Sequence, residues 1–267
     1  MLDSILVWRR LVAAQIRAQL QYRISFALDA FGSFWISFID FLVILVIFRN
    51  VPRLNSWDVH EVAFLYALSS ITFAATDMLI GQLDQFPQKI RDGNFDIVLV
   101  RPRGTLFQVI ASDFALRRIA RVVQGAIVLV YALSTLTIDW TALRVIVLLA
   151  SLPSAIVIFS SIWVVGACIA FWTTDGGEFT NAFTYGGTAM AQYPFDIYST
   201  WLRRVLGFVI PLAFVCYFPA LYVLGKADPL GLPRFLQFCS PAVAAVTAIL
   251  AGSVWRFAVR HYRSAGG

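Results

Sequence analysis

Asp29, Ser33, Ser37 and Asp40 recur at spacings of four, four and three, which places all four on one face of a helix. Carboxylates and hydroxyls aligned in this way suit two tasks. They can line a path or hold a cationic part of a substrate, or they can pack against another helix or subunit with the carboxyl neutral or paired. Asp40 falls near the middle of its apolar run and Asp29 near the end, within reach of lipid headgroups. A weaker stripe, Ser69, Thr72 and Thr76, ends beside Asp77, and hydroxyls so placed usually join helices. Between Gln82 and Pro102 the chain reads QLDQFPQKIRDGNFDIVLVRP, a charged, glycine-punctuated stretch suited to meeting a soluble partner.

Enzymatic chemistry finds no parts here. His60 and His261 fall on opposite sides of the membrane in the topology below, so they share no site. Asp29, Asp40 and Asp77 lack the sequence contexts of an intramembrane aspartyl protease, and no nucleophile stands near a base. Cys168, Cys216 and Cys239 are isolated, without the close spacing of a zinc or redox site, and are expected to pack as small apolar groups. There is no G-x-x-x-x-G-K-[ST] phosphate loop, so ATP is not bound by that route. Neither metal nor cofactor is expected on this chain, and any work against a gradient draws its energy from elsewhere.

The elements that carry these residues are membrane helices. Hydrophobic residues make up 60% of the chain and charged residues 13%, and the mean hydropathy is +0.77. In such a protein the excess of 21 Lys and Arg over 15 Asp and Glu marks loops kept in the cytoplasm rather than nucleic-acid binding. The chain is expected to be an all-α integral membrane protein of six spans near 26–48, 61–80, 122–137, 143–172, 205–225 and 241–258. The fourth contains Pro153, where a tilt or kink is expected. LFQVIASDFALRRIARVV is expected to extend the third helix, with Asp113 and Arg117 one turn apart. Placing both termini in the cytoplasm puts basic residues there in roughly threefold excess.

Residues 1–25 mix apolar and basic positions at helical spacing, Leu6, Arg9, Arg10, Ala13, Ile16, Arg17 and Leu20 among them, as an interfacial helix would. They do not read as a cleaved signal peptide. A single transmembrane domain follows: the helix at 1–25, a bundle at 26–258 and a tail at 259–267. In the 82–102 stretch Phe86 and Ile90 stand four apart beside Lys89 and Arg91, so a short amphipathic helix is expected to open near Pro87 and end at Gly93. An exposed aromatic with basic flanks would form a knob for a cleft in a partner.

Three stretches carry a family resemblance. They are G-x-F-D-x-x-L-x-R-P (Gly93, Phe95, Asp96, Leu99, Arg101, Pro102), Y-P-x-D-I-Y-x-x-W-L-R (Tyr193 to Arg203, with FVIPLAFVCYFPA at 208–220), and a C-terminal pattern from Trp255 and Arg256 through Arg260, Tyr262, Ser264 and Ala265 to Gly266. In these the chain resembles the type-2 export permeases of ABC transporters, specifically a bacterial subgroup of similar length.

The resemblance implies six spans, an N-terminal interfacial helix and a cytoplasmic coupling helix between spans 2 and 3 that docks on an ABC ATPase. It implies two ATPase copies using ATP and Mg, and a second permease subunit forming a homodimer or heterodimer, all at a bacterial inner membrane. Carried over by position, Phe86, Pro87, Lys89, Ile90, Arg91, Gly93 and Asp96 would be the docking residues. Ser33, Ser37, Asp40, Ser69, Thr72 and Thr76 are the candidate translocation path. Short re-entrant helices between spans 5 and 6 are common in such exporters, and KADPLGLPRFLQFCSPA at 226–242 is the stretch that could form one. The segment 173–204 is expected to lie in the cytoplasm, being too polar to span. Aromatic density favours an amphiphilic cargo such as a lipid, lipopeptide or drug. The competing class is a self-contained channel or secondary transporter, although no internal repeat is visible between 26–137 and 143–258.

Overall fold

A computed structural model describes residues 2–173 and 176–262, and among them all regular structure is helical apart from one antiparallel bridge between Leu54 and Trp57. Arg263, Ser264, Ala265 and Gly266 of the C-terminal motif lie outside the described residues. Helix α1 (Leu2–Gln21) exposes Leu6, Leu11 and Leu20 among its arginines. Its other face is pinned to the chain at 111–116: the Gln15 amide donates to the Ala111 carbonyl over 3.2 Å, the Gln19 amide to that of Phe114, and Leu116 N donates to Gln19 Oε1 over 3.1 Å.

Helix α2 (Arg23–Asn50) buries only Phe41, Ile44 and Phe48. After the turn at 51–58, α3 (Val59–Ile80) opens with a reciprocal cap in which Asp58 Oδ1 accepts from Glu61 N and Asp58 N donates to Glu61 Oε2, each over 2.9 Å. Apolar on all sides, α3 is the central helix, and every residue from Val62 to Leu68 is at most 1% exposed. A 3₁₀ turn (Gly81–Gln85) leads into three short helices at the far end of the bundle, α4 (Phe86–Arg91), α5 (Phe95–Leu99) and α6 (Thr105–Ile110). Next come α7 (Ile119–Thr135), α8 (Ala142–Cys168) and α9 (Gly176–Ala191). Helix α8 continues through Pro153, and the Ser151 and Ser154 hydroxyls donate to carbonyls of the same turn. The last elements are α10 (Thr200–Arg204), α11 (Tyr217–Leu224) and α12 (Ser240–Arg260), the last lying along α8 with Ala244, Ala251 and Ala258 buried at intervals of seven.

Among the described residues four stretches are long and apolar enough to cross a membrane: Arg23–Asn50, Val59–Arg91, Ala142–Phe171 and Ser240–Arg260. They cover four of the expected spans. Helix α7, 17 residues long, lies on most of 122–137 and runs between the same two ends, with Arg118 beside Asp77 and the Tyr131 ring 5.8 Å from His60.

The stretch expected as the fifth span, 205–225, is bent. Its two halves, Thr200–Val209 and Leu212–Leu224, meet at 70° around Ile210 and Pro211, where a proline cannot continue the ladder. Both flanks lie at the 51–58 end. The Asn55 amide donates to the Asp196 carbonyl over 3.3 Å, and Lys226 Nζ donates to the Ser56 carbonyl over 2.7 Å and pairs with Glu61 Oε2 at 2.6 Å. The chain therefore enters and leaves at one end.

What runs between the ends is α9, inside the segment expected to stay in the cytoplasm. Gly177 packs on Pro87 at one end, and beyond Ala191, whose carbonyl accepts from the Cys216 thiol over 2.8 Å, the chain reaches Asn55 at the other. Its polarity misleads because the Thr184 and Thr188 hydroxyls donate to the carbonyls four residues back, over 3.0 and 2.8 Å, and the side chains are buried. Residues 226–242 do not re-enter: Asp228 accepts from Leu230 N, Leu232 N and the Tyr217 hydroxyl, closing a loop at the 51–58 end. Arg203 and Arg204 move to that end too, which lowers the basic excess of the 82–102 end to about twofold without reversing it.

The third helix does not extend backwards as expected. Asp113 Oδ1 accepts from Phe114 N over 2.8 Å and Ala115 N donates to the Met78 carbonyl over 3.1 Å, so the chain leaves the helix between α6 and α7. Asp113 and Arg117 are consequently not one helical turn apart.

Candidate functional site

Where α3 ends, two arginines from the start of α7 converge on one carboxylate. Arg118 Nε lies 2.9 Å and Arg121 Nη1 3.5 Å from Asp77 Oδ2, and Asp77 is 1% exposed. Gly81 faces the same carboxyl so closely that a Cβ there would sit 2.1 Å from Asp77 Oδ1. One turn on, Asp84 accepts from the Trp163 indole N–H over 2.7 Å and from the Tyr185 hydroxyl over 2.9 Å, joining the 3₁₀ turn to α8 and α9. Trp163 in turn stacks on Phe73, with ring centroids 5.4 Å apart and planes 11° from parallel.

Arg121 and Tyr185 also belong to the wall of a cavity of about 420 Å³ between α2, α3, α7 and α9. From α2 it takes Ser37 and Asp40, from α3 Tyr66 and Ser70, and from the end of α9 Gln192 and Tyr193. Ser37 and Asp40 of the sequence-derived path thus meet at one cavity, while Ser33, one turn away, is half-buried outside its lining. Ser69, Thr72 and Thr76 are absent from its lining and are buried. The Ser69 hydroxyl donates to the Thr188 carbonyl over 3.4 Å and so joins α3 to α9, while the Thr72 and Thr76 hydroxyls donate to carbonyls of their own helix, Leu68 and Thr72, over 2.7 and 2.8 Å. Tyr193 opens the second sequence motif, but nothing in the sequence ties it to Tyr66, Arg121 and Tyr185, and the four meet only through packing.

A family model described as ABC-2 family transporter protein matches residues 34–266. The chain belongs to this family. No curated protein and no solved structure matches it. Members of the ABC-2 family are membrane transport components that generally work with an ABC ATPase, so the chain is a multi-pass membrane protein of that class.

In this ABC-2 family chain the 82–102 stretch forms helix α4 where expected, and Gly93 closes it with φ of +68°, a conformation that favours glycine. The face it presents differs from expectation. Phe86 is fully buried and Pro87 and Ile90 are buried with it. The Phe86 ring packs against Phe95, Phe171 and Trp255 at centroid distances of 5.4, 5.3 and 5.2 Å, so its apolar face closes on the ends of α8 and α12. Spacing reveals that a helix has an apolar face but not whether that face turns inward. Lys89 reaches back to the Ser112 hydroxyl over 3.0 Å, Asp96 is half-buried, and Arg91 is exposed. The apolar groups left outside are on and after α5: Ile97 is 53% and Val100 82% exposed, followed by exposed Arg101, Pro102 and Arg103.

At the opposite end Asp196 stands in the second motif. Burial pushes its carboxyl above the usual carboxylate range, opposed by the hydrogen bond from the Asn55 amide and the charge of Lys226.

Proposed function

We propose that the chain is the membrane-spanning permease of an ATP-driven exporter in a bacterial inner membrane, with both termini cytoplasmic and an ABC ATPase docked on the 82–102 end. Two ATPase copies and a second permease subunit complete the assembly. The docking surface in this reading is the exposed apolar tip of Ile97 and Val100 with Arg91, Arg101 and Arg103 around it, a short apolar knob in a basic frame. Phe86, Pro87 and Ile90 hold that tip on the bundle from beneath.

One observation carries the reading. The segment below the cavity and the cavity wall are joined directly, through Asp84 to Tyr185 and through Asp77 to Arg121. A push on α4 and α5 from a closing ATPase dimer would move the 3₁₀ turn Gly81–Gln85 and with it the groups that shape the cavity. ATP and Mg stay with the partner, and this chain supplies the cavity and the lever.

The test is co-expression of the permease with its ATPase subunit. Ile97→Asp together with Val100→Asp is expected to abolish co-purification while leaving the melting temperature of the permease unchanged. Retained association would remove the docking surface from this reading.

A further inference from the structure

The cavity beside Asp40 carries two opposite charges that do not satisfy each other. Arg121 is drawn with Arg118 toward Asp77, and among the described residues Asp40 has no ion-pair partner within 4.0 Å. A carboxylate at that depth in a spanning helix is costly without a cation, and the guanidinium across the cavity is already shared. Around the two charges stand uncharged polar groups, Ser37, Gln192 and Tyr193 among them. Asp40, Asp77 and Asp84 against Arg117, Arg118 and Arg121 leave the region without net charge, which disfavours a ligand carrying a single charge of either sign.

Apolar surface continues outward from the polar pocket. Phe31, Trp35 and Ile36 on α2 are 63%, 44% and 57% exposed, and the Phe31, Trp35 and Phe38 rings follow one another at 5.9 and 5.5 Å. Ile36 and Val43 form the lip of the cavity itself. A molecule lying here would place a compact polar group between Asp40 and Arg121 and an apolar tail along α2. A volume of about 420 Å³ is enough for the polar head of such a molecule but not for its chain.

We infer that this cavity binds the headgroup of a zwitterionic amphiphile, its ammonium at Asp40 and its phosphate or carboxylate at Arg121, with the hydrocarbon tail on the aromatic face of α2. The inference deepens the transporter reading by naming the class of its cargo, but the binding itself needs no ATPase. Failure of ATPase docking would therefore leave it standing, and its own failure would leave docking intact.

The experiment is native mass spectrometry of the purified full-length permease, titrated separately with lysophosphatidylethanolamine, lysophosphatidylglycerol and dodecylamine. The zwitterion is expected to bind about tenfold more tightly than either singly charged amphiphile. Asp40→Asn is expected to erase the preference over lysophosphatidylglycerol, and Arg121→Lys to retain it. Equal binding of all three by the unmodified protein overturns the inference without need of any variant. An Asp40→Asn protein of unchanged melting temperature that keeps its preference overturns it as well. A change in subunit association alone in that variant would mark Asp40 as an interface residue and likewise overturn it.

Discussion

Arg118 Nε stands 2.9 Å from Asp77 Oδ2, so the last turn of the central helix α3 is tied to the start of α7 by a buried charge pair. With Arg121 Nη1 3.5 Å from the same oxygen, one carboxylate holds two guanidiniums. Removing it would leave two largely buried guanidiniums without their ion-pair partner. Asp77→Ala is expected to destabilise the protein by about 3–5 kcal/mol, the usual cost of stranding a buried charge, measured as a loss of melting temperature in detergent. Gly81→Ala should move in the same direction, because its methyl would displace that carboxyl.

Phe86 separates packing from docking. Phe86→Ala opens a cavity among Phe95, Phe171 and Trp255 and is expected to cost about 3–5 kcal/mol, lowering the melting temperature of the permease alone. An aspartate at Val100, 82% exposed, should change stability by no more than about 0.5 kcal/mol. The pair of melting curves, recorded without ATPase, checks which face of the 82–102 stretch is buried.

Tyr185→Phe removes the hydroxyl that donates to Asp84 over 2.9 Å and leaves the ring in place. The assembled complex is expected to keep basal ATP hydrolysis while losing its stimulation by lysophosphatidylethanolamine. Side-by-side hydrolysis assays with and without the amphiphile provide the check. Unchanged stimulation would mean that this hydrogen bond does not carry the coupling.

The link between Asn55 and Asp196 has a pH dependence of definite sign. Burial raises the Asp196 carboxyl above its unfolded value, so the folded state takes up a proton more readily than the unfolded chain. Its contribution to stability therefore improves as pH falls through the raised folded value and is least favourable above it. Asp196→Asn should stabilise the protein at neutral pH, with the gain shrinking under acid, as followed by melting temperature between pH 4 and about pH 8.

Much of this architecture was legible in the sequence, and the exceptions have physical causes. Uninterrupted apolar length marked α2, α3, α8 and α12. Hydropathy could not tell a straight span from a bent pair, so 205–225 read as a crossing although Pro211 folds it back. Conversely α9 read as too polar because a threonine hydroxyl bonded to its own helix counts in a sequence as if it faced water. At the site, Ser37 and Asp40 were visible as a stripe, whereas Arg121, Tyr185 and Tyr193 come from distant elements and only the fold brings them together.

The central claim is that the ATPase meets this chain at the 82–102 end. Cysteine-directed crosslinking within the co-expressed complex tests it most directly, in a Cys239→Ser background because Cys168 and Cys216 are already buried. Val100→Cys is expected to yield a covalent adduct of permease and ATPase, and Arg53→Cys, at the opposite end of the bundle, none. An adduct from Arg53→Cys, or none from Val100→Cys in a complex that still co-purifies, would contradict it.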